Sequence, residues 1–173
     1  IAIPGNHDRL CELNEKLVKD LFLQADAHLL IDEQIEIERS GEKIALFGVN
    51  DPSFETNYLF GDTAAVLRHK LQKLKNEDSY TVLLSHRPEL FHIYANYDLD
   101  FVLSGHAHGG QIRIPFIGGI VAPNQGFFPE FDTGIYTDGN TSMLVSRGIG
   151  NSLFPFRINN RPEVILVELK SSR

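Results

Sequence analysis

Two imidazoles one residue apart, His106 and His108 in Gly105-His106-Ala107-His108-Gly109-Gly110-Gln111, follow directly on the apolar run Phe101-Val102-Leu103-Ser104. A strand that ends in a glycine and a His-x-His pair delivers two neutral nitrogen donors to one place, which is what a divalent transition metal needs. A further histidine, His86 in Ser85-His86-Arg87-Pro88, stands at the exit of Thr81-Val82-Leu83-Leu84, and His7 lies in Gly5-Asn6-His7-Asp8 after Ile1-Ala2-Ile3. Read singly, each is a strand-end histidine bonded to backbone, and Asn6-His7-Asp8 is a turn with Asp8 as a helix cap. Three such loops in one chain point to a shared metal site, because open α/β sheets place their ligands at strand carboxyl ends. Asn6 offers an amide oxygen suited to a dication already held by imidazoles, which leaves His7 to donate a proton.

Arg87 and Arg147 are weighed as phosphate contacts, since a guanidinium near a metal grips two phosphate oxygens; the plainer reading is a pair of surface arginines. His28, His69 and His92 sit in helical or strand-entry patterns and read as surface or packing residues. Cys11, the single cysteine, cannot close an internal disulfide and reads as a free thiol in a reducing, cytoplasmic setting.

Elements that would position these groups are visible in the hydrophobic pattern. Leu13, Leu17, Val18, Leu21 and Phe22 recur at helical spacing from Leu10 onward, with Glu12, Glu15, Lys16 and Lys19 opposite. Gln34–Glu38 alternates, Arg39–Glu42 supplies a turn and Lys43–Val49 runs apolar again, which predicts a hairpin with the more buried strand second. Asp62 is placed to cap a helix carrying Ala65, Val66, Leu67, Leu71 and Leu74, and Pro88 stands where a first helical turn accepts proline. From Ile114 to Phe131 the chain is dense in proline and glycine, with Phe116, Phe127, Phe128 and Phe131 between them. A loop of that length folds over something: its aromatics form a lid or apolar wall for a leaving group, or they pack a core beneath the loop. Gly134–Thr137, Thr141–Ser146 and Val164–Leu169 read as closing strands.

With 173 residues, the chain has the size of one domain able to close a core. A net charge of -7 removes the broad basic face that nonspecific nucleic-acid binding requires. Its apolar runs are too short to cross a bilayer, and no signal-peptide pattern is seen. The opening Ile1-Ala2-Ile3-Pro4, without an initiating methionine, reads as the end of a strand and so as the start of a fragment.

In order, Gly5-Asn6-His7-Asp8, Ser85-His86-Arg87-Pro88 and Gly105-His106-Ala107-His108-Gly109-Gly110-Gln111 resemble the third, fourth and fifth motifs of the calcineurin-like metallophosphoesterases. Ser146-Arg147-Gly148-Ile149-Gly150 and Arg161-Pro162-Glu163 extend the resemblance to a bacterial phosphohydrolase subgroup often found at membranes. The resemblance implies an α/β fold, a two-sheet β-sandwich flanked by helices (αββα), present over residues 1–173 as its C-terminal portion. It implies two divalent transition metals (Mn, Fe, Zn or Ni), with Asn6, His86 and His106 on one, His108 reaching toward the other, and His7 as general acid. The implied reaction is hydrolysis of a phosphomonoester, phosphodiester or pyrophosphate by a metal-activated hydroxide. The family's two upstream motifs, Asp-x-His and Gly-Asp-x-x-Asp, are not found here, so the isolated chain is expected to be nearly inactive. Exposed strand edges are then expected to drive association with an N-terminal segment or a second copy, and the full-length protein is expected to be cytoplasmic or peripheral at a membrane. The alternative is a noncatalytic metal-binding or scaffold module that keeps the fold.

Overall fold

The computed structural model describes residues 1–8, 14–39, 41–56, 62–74, 79–151 and 155–170. Its first helix, α1 (Glu15–Gln24), is capped by Asn14, whose side chain accepts from the Leu17 amide at 3.2 Å. The part of the predicted helix over residues 10–13, with Cys11 and Leu13, lies outside the described residues. The predicted hairpin forms as β1 (Glu33–Arg39) against β2 (Glu42–Gly48), antiparallel with Glu33 opposite Gly48. The second strand is the more buried, as its unbroken apolar run requires.

Asp62 caps α2 (Thr63–Leu71) by accepting from the Ala65 amide at 3.0 Å. Strand β3 (Tyr80–Leu84) leads through a 3₁₀ turn at Pro88–Leu90 into the short α3 (Phe91–Ala95), and β4 (Phe101–Ser104) follows. The ribbon residues form β5 (Arg113–Ile114) with β6 (Gly118–Gly119), and β7 (Val121–Ala122) with β8 (Gly126–Phe127). Strands β9 (Gly134–Asp138) and β10 (Thr141–Val145) close the order β1-β2-β3-β4-β10-β9. Strands β2, β3, β4 and β10 run parallel, so the exits of β3 and β4 lie at one end of the sheet. The α/β class expected from the sequence is found as this central sheet, two small sheets and flanking helices.

Alternation along the strands sorts the core into two faces. Ala45, Phe47, Leu83, Val102, Met143 and Val145 pack with Leu67 and Leu71 of α2 and Phe91, Ile93 and Tyr94 of α3. On the other face Leu30, Leu46 and Val82 are buried, while Ile3, Ile35, Ile44, Leu84, Phe101 and Leu103 are only partly covered. Residues 1–3 do not join the large sheet. Ala2 makes an isolated parallel bridge with Leu29.

The expected strand over Val164–Leu169 does not form. That stretch pairs with no strand among the described residues, and Val164 and Leu166 are 87% and 94% exposed. A β-rich composition supplies side chains that fit a pleated surface, but a ladder also needs a neighbouring edge within reach.

The aromatics of the ribbon region divide. Phe131 is buried and meets Phe91 and Tyr136 edge-on, with ring centroids 5.6 and 5.0 Å apart, whereas Phe116, Phe127 and Phe128 face solvent. Core packing therefore explains the first and leaves the other three free. Among the described residues no helix is long and apolar enough to cross a membrane.

Candidate functional site

Two consecutive parallel strands end side by side, and the site grows from their exits. The Ser85 amide continues the ladder by donating to the Leu103 carbonyl at 3.1 Å, and the Ser146 amide does the same to Ser104 at 2.9 Å. Past those last rungs the backbone is free to turn, and His86 and His106 leave the sheet with ring centroids 4.5 Å apart.

The His86 loop is pinned from below. Tyr94, fully buried, donates its hydroxyl to the Arg87 carbonyl at 2.6 Å and lies 2.8 Å from the Ser85 hydroxyl. Arg87 makes a two-pronged pair with Asp51, Nε to Oδ2 at 2.7 Å and Nη2 to Oδ1 at 2.8 Å, both side chains buried. Burial alone would raise the Asp51 carboxyl; its bonds to Arg87 and Ser53 outweigh this and hold it below the ordinary range.

Gly5 brings the N-terminal loop onto this platform. A Cβ there would sit 2.8 Å from the His86 ring, so only glycine lets the chain pass so close. Asp8 closes the loop by accepting from the Gly5 amide at 2.8 Å, the turn-forming role that the tetrapeptide suggested. Asn6 then presents Oδ1 to His86 Nε2 at 2.9 Å.

The His106 loop is unusual in its backbone. His106, His108 and Gln111 all lie in the left-handed region, at φ 63, 49 and 56, and non-glycine residues are kept there only where surrounding structure over-determines them. Part of that determination comes from Asn124, itself at φ 61 between β7 and β8. Its Oδ1 accepts from His106 Nε2 at 2.9 Å and from Arg87 Nη1 at 2.6 Å.

Electrostatics keep both central imidazoles neutral. Burial, then the neighbouring His106, pushes His86 down to about 3, and burial, partly offset by the hydrogen bond to Asn124, pushes His106 down to about 4. His108 is also lowered, by burial first and then by the Arg157 guanidinium. His7 is exposed and lies within electrostatic range of His108.

Asn6, His86 and His106 therefore converge as the sequence expects, and His108 turns toward His7 and Arg157. As a donor set, neutral imidazoles and an amide oxygen fit a divalent metal. Among the described residues no group of three or more His, Cys, Asp or Glu side chains stands ready to hold a metal.

Arg87, weighed as a phosphate contact, has a different position: it is 4% exposed and its guanidinium is spent on Asp51, Glu89 and Asn124. Arg147 is half-buried, bonded through Nη2 to Glu163 Oε2. His28 and His69 are exposed, and His92 pairs on the surface with Asp138 at 3.1 Å, in keeping with their exclusion from the site. Sequence reasoning missed Asp51, Asn124 and Arg157. Asp51 and Asn124 carry only turn signals, Asp51-Pro52 and Pro123-Asn124, and Arg157 carries none.

Comparison with known proteins agrees with the motifs. The chain is 35% identical over 175 residues, 95% of its length, to the protein named phosphodiesterase YaeI of Escherichia coli, covering 56% of that relative. It is 38% identical over 93 residues to the metallophosphoesterase YkuE of Bacillus subtilis, covering 54% of this chain and 32% of that one. Against a metallophosphoesterase of Aquifex aeolicus the figures are 30% over 176 residues, 98% and 60%. The chain thus spans between 32% and 60% of the length of these relatives. No protein-family profile and no solved structure matches it.

Proposed function

The chain belongs to the metallophosphoesterase superfamily, and from that premise we propose that it carries the imidazole side of the active site of a metal-dependent phosphoester hydrolase. The observation that supports this reading best is the meeting of Asn6, His86 and His106, from loops 80 residues apart in the case of Asn6 and His86.

Asn6, His86 and His106 would hold one divalent metal, and His108 would face a second. When bound, such metals supply Lewis-acid charge at the phosphoryl group and acidify water. The protein's own residues do the rest. Tyr94 and the Arg87–Asp51 pair fix the direction in which His86 leaves its strand, and Asn124 fixes His106. Burial keeps the imidazoles in the neutral form that donates a lone pair. His7, exposed beside His108, protonates the leaving oxygen, a role that contributes ~10²–10⁴-fold in rate. Arg147 contacts a phosphate oxygen through the guanidinium edge that Glu163 leaves free.

The test is hydrolysis of bis-p-nitrophenyl phosphate with Mn²⁺ by the protein that contains these residues. His106→Ala should lose both bound metal and turnover. His7→Ala should keep the metal and lose turnover by ~10²–10⁴-fold. Unchanged turnover in His106→Ala would refute the reading. The 173-residue chain alone should turn over far more slowly, since its described donors make up only part of the shell.

Association belongs to the same proposal. A cavity of about 350 Å³ opens along Ile1, Ile3, Leu84 and Leu103, on the sheet face that is only partly covered. Further polypeptide or a second copy covering this face would remove that apolar surface from water. Light scattering that finds a monomer at every concentration would count against association of the isolated chain.

A further inference from the structure

Around the His108–Gln111 turn lie polar groups of which the proposed reaction uses only the free edge of Arg147. Arg157 has five N–H donors. Its Nη2 is anchored, donating to the Arg147 carbonyl at 2.9 Å and to the Gly150 carbonyl. Its Nε and Nη1 are buried and without a hydrogen-bond partner among the described residues, which leaves three N–H groups unspent. Arg147, held to Glu163 through Nη2, likewise keeps a buried, unpartnered Nε.

Gln111 adds to the imbalance. It is 3% exposed, yet neither atom of its side-chain amide has a partner among the described residues. Asn160 ties the group together, its Nδ2 donating to the His108 carbonyl at 2.6 Å and to the Gln111 carbonyl at 3.1 Å. The Gly150 carbonyl that receives Arg157 also accepts from the His108 side chain. Two guanidiniums here are matched by one hydrogen-bonded carboxylate, Glu163, in a chain whose net charge is -7.

Buried unsatisfied donors are costly, and charged ones more so, so folded proteins seldom leave them without a water, an ion or a ligand to complete the set. Unspent N–H groups on two neighbouring guanidiniums match a ligand with several oxygens and a negative charge. We propose that Arg157, together with the Nε edge of Arg147, forms an oxyanion subsite beside His108 that binds a phosphate group of the substrate. The metallophosphoesterase reading supplies the ligand class; the donors supply the site. Arg157, half-buried, is then a specificity residue that touches substrate, whereas Arg87, fully buried in its own network, is scaffold.

The experiment uses the metal-free 173-residue chain, so that it does not depend on turnover. Inorganic phosphate and methylene bisphosphonate are titrated while the Arg Nε–Hε resonances are followed by NMR, with affinities from calorimetry. The expected result is a saturable shift of the Arg157 and Arg147 resonances. Arg157→Gln should weaken binding about ten- to hundredfold, the worth of a charge-assisted hydrogen bond or two, with Arg157→Lys intermediate because it keeps charge without the fork. Arg39→Gln, at the far end of β1, should leave affinity unchanged. Tighter binding of the bisphosphonate assigns the subsite to a phosphate next to the one attacked; equal binding assigns it to the reacting phosphoryl group.

An Arg157 resonance that does not move, or an Arg157→Gln chain that binds phosphate like the parent, overturns the proposal. Should Arg157→Gln fail to fold, the resonance of the unaltered chain and the lysine variant still decide it. The two claims fail separately: unchanged hydrolysis in His106→Ala with anion binding intact overturns the phosphoesterase reading and leaves the subsite, whereas lost hydrolysis in His106→Ala with an Arg157 resonance that phosphate does not move leaves the reading and overturns the subsite.

Discussion

Two arginine clusters flank the histidine loops, and they are built on opposite principles. Around Arg87 every guanidinium nitrogen has an acceptor: Asp51 accepts from Nε and Nη2, Asn124 and Glu89 each accept from Nη1, and Glu89 is raised toward its neutral form by burial. Around Arg147 and Arg157 the donors outnumber the acceptors among the described residues, and Arg157 is lowered by burial and by Arg147. Both regions stand beside a histidine of the same proposed site. The first spends its charge on holding shape, and the second keeps charge in reserve. An arginine near a reaction centre is therefore assigned by counting its acceptors, not by its distance from the chemistry.

The comparison breaks first, and most visibly, at Asp51. If the Arg87 cluster is scaffold, Asp51→Asn should cost about 3–5 kcal/mol, because it leaves a buried guanidinium without its counter-charge. Urea unfolding measures this. A stable Asp51→Asn with weakened phosphate binding would mean that Arg87 is a ligand contact after all. Gly5→Ala should cost about 1–3 kcal/mol, since its Cβ would enter the His86 ring at 2.8 Å, and the His86 resonances should shift while those of Arg157 stay.

Asn124→Ala tests the join between the two principles, because its one oxygen serves both Arg87 and His106. Removing it should cost about 1–3 kcal/mol in denaturant unfolding and lower metal affinity without changing phosphate binding by the metal-free chain. The smallest effect belongs to Glu163. Its hydrogen bond to Arg147 lowers its carboxyl in the folded state, so the folded chain binds fewer protons than the unfolded one. That stability is present above the unfolded value of roughly 4.3 and is lost as pH falls through the lower folded value. For a pair this near the surface it is at most about 1 kcal/mol. Glu163→Gln should flatten this acid limb in thermal melts and, by releasing Arg147 Nη2, leave phosphate binding equal or tighter.

Much of the framework was legible because its signals are local. Alternation from Gln34 to Val49 yielded the hairpin and its buried partner, Asp62 and Pro88 marked helix starts, and the His86 and His106 loops fell at strand exits, whereas residues 1–3 before the His7 loop make only an isolated bridge. Val164–Leu169 misled for the converse reason: its pattern suits a strand, but no edge among the described residues receives it. The four phenylalanines of the ribbons look alike in sequence, and only Phe131 meets Phe91 and Tyr136.

By itself the sequence determined which groups this protein can bring to chemistry: two paired imidazoles, a third at a neighbouring strand exit, an amide and a further histidine, in an order that resembles the family's motifs. Periodicity and caps depend on residues three or four apart, so they can be read along the chain. Only the tertiary structure decided that Arg87 is spent and Arg157 is not. Whether a guanidinium is satisfied depends on partners such as Asp51, 36 positions away, that meet it only when the sheet has closed.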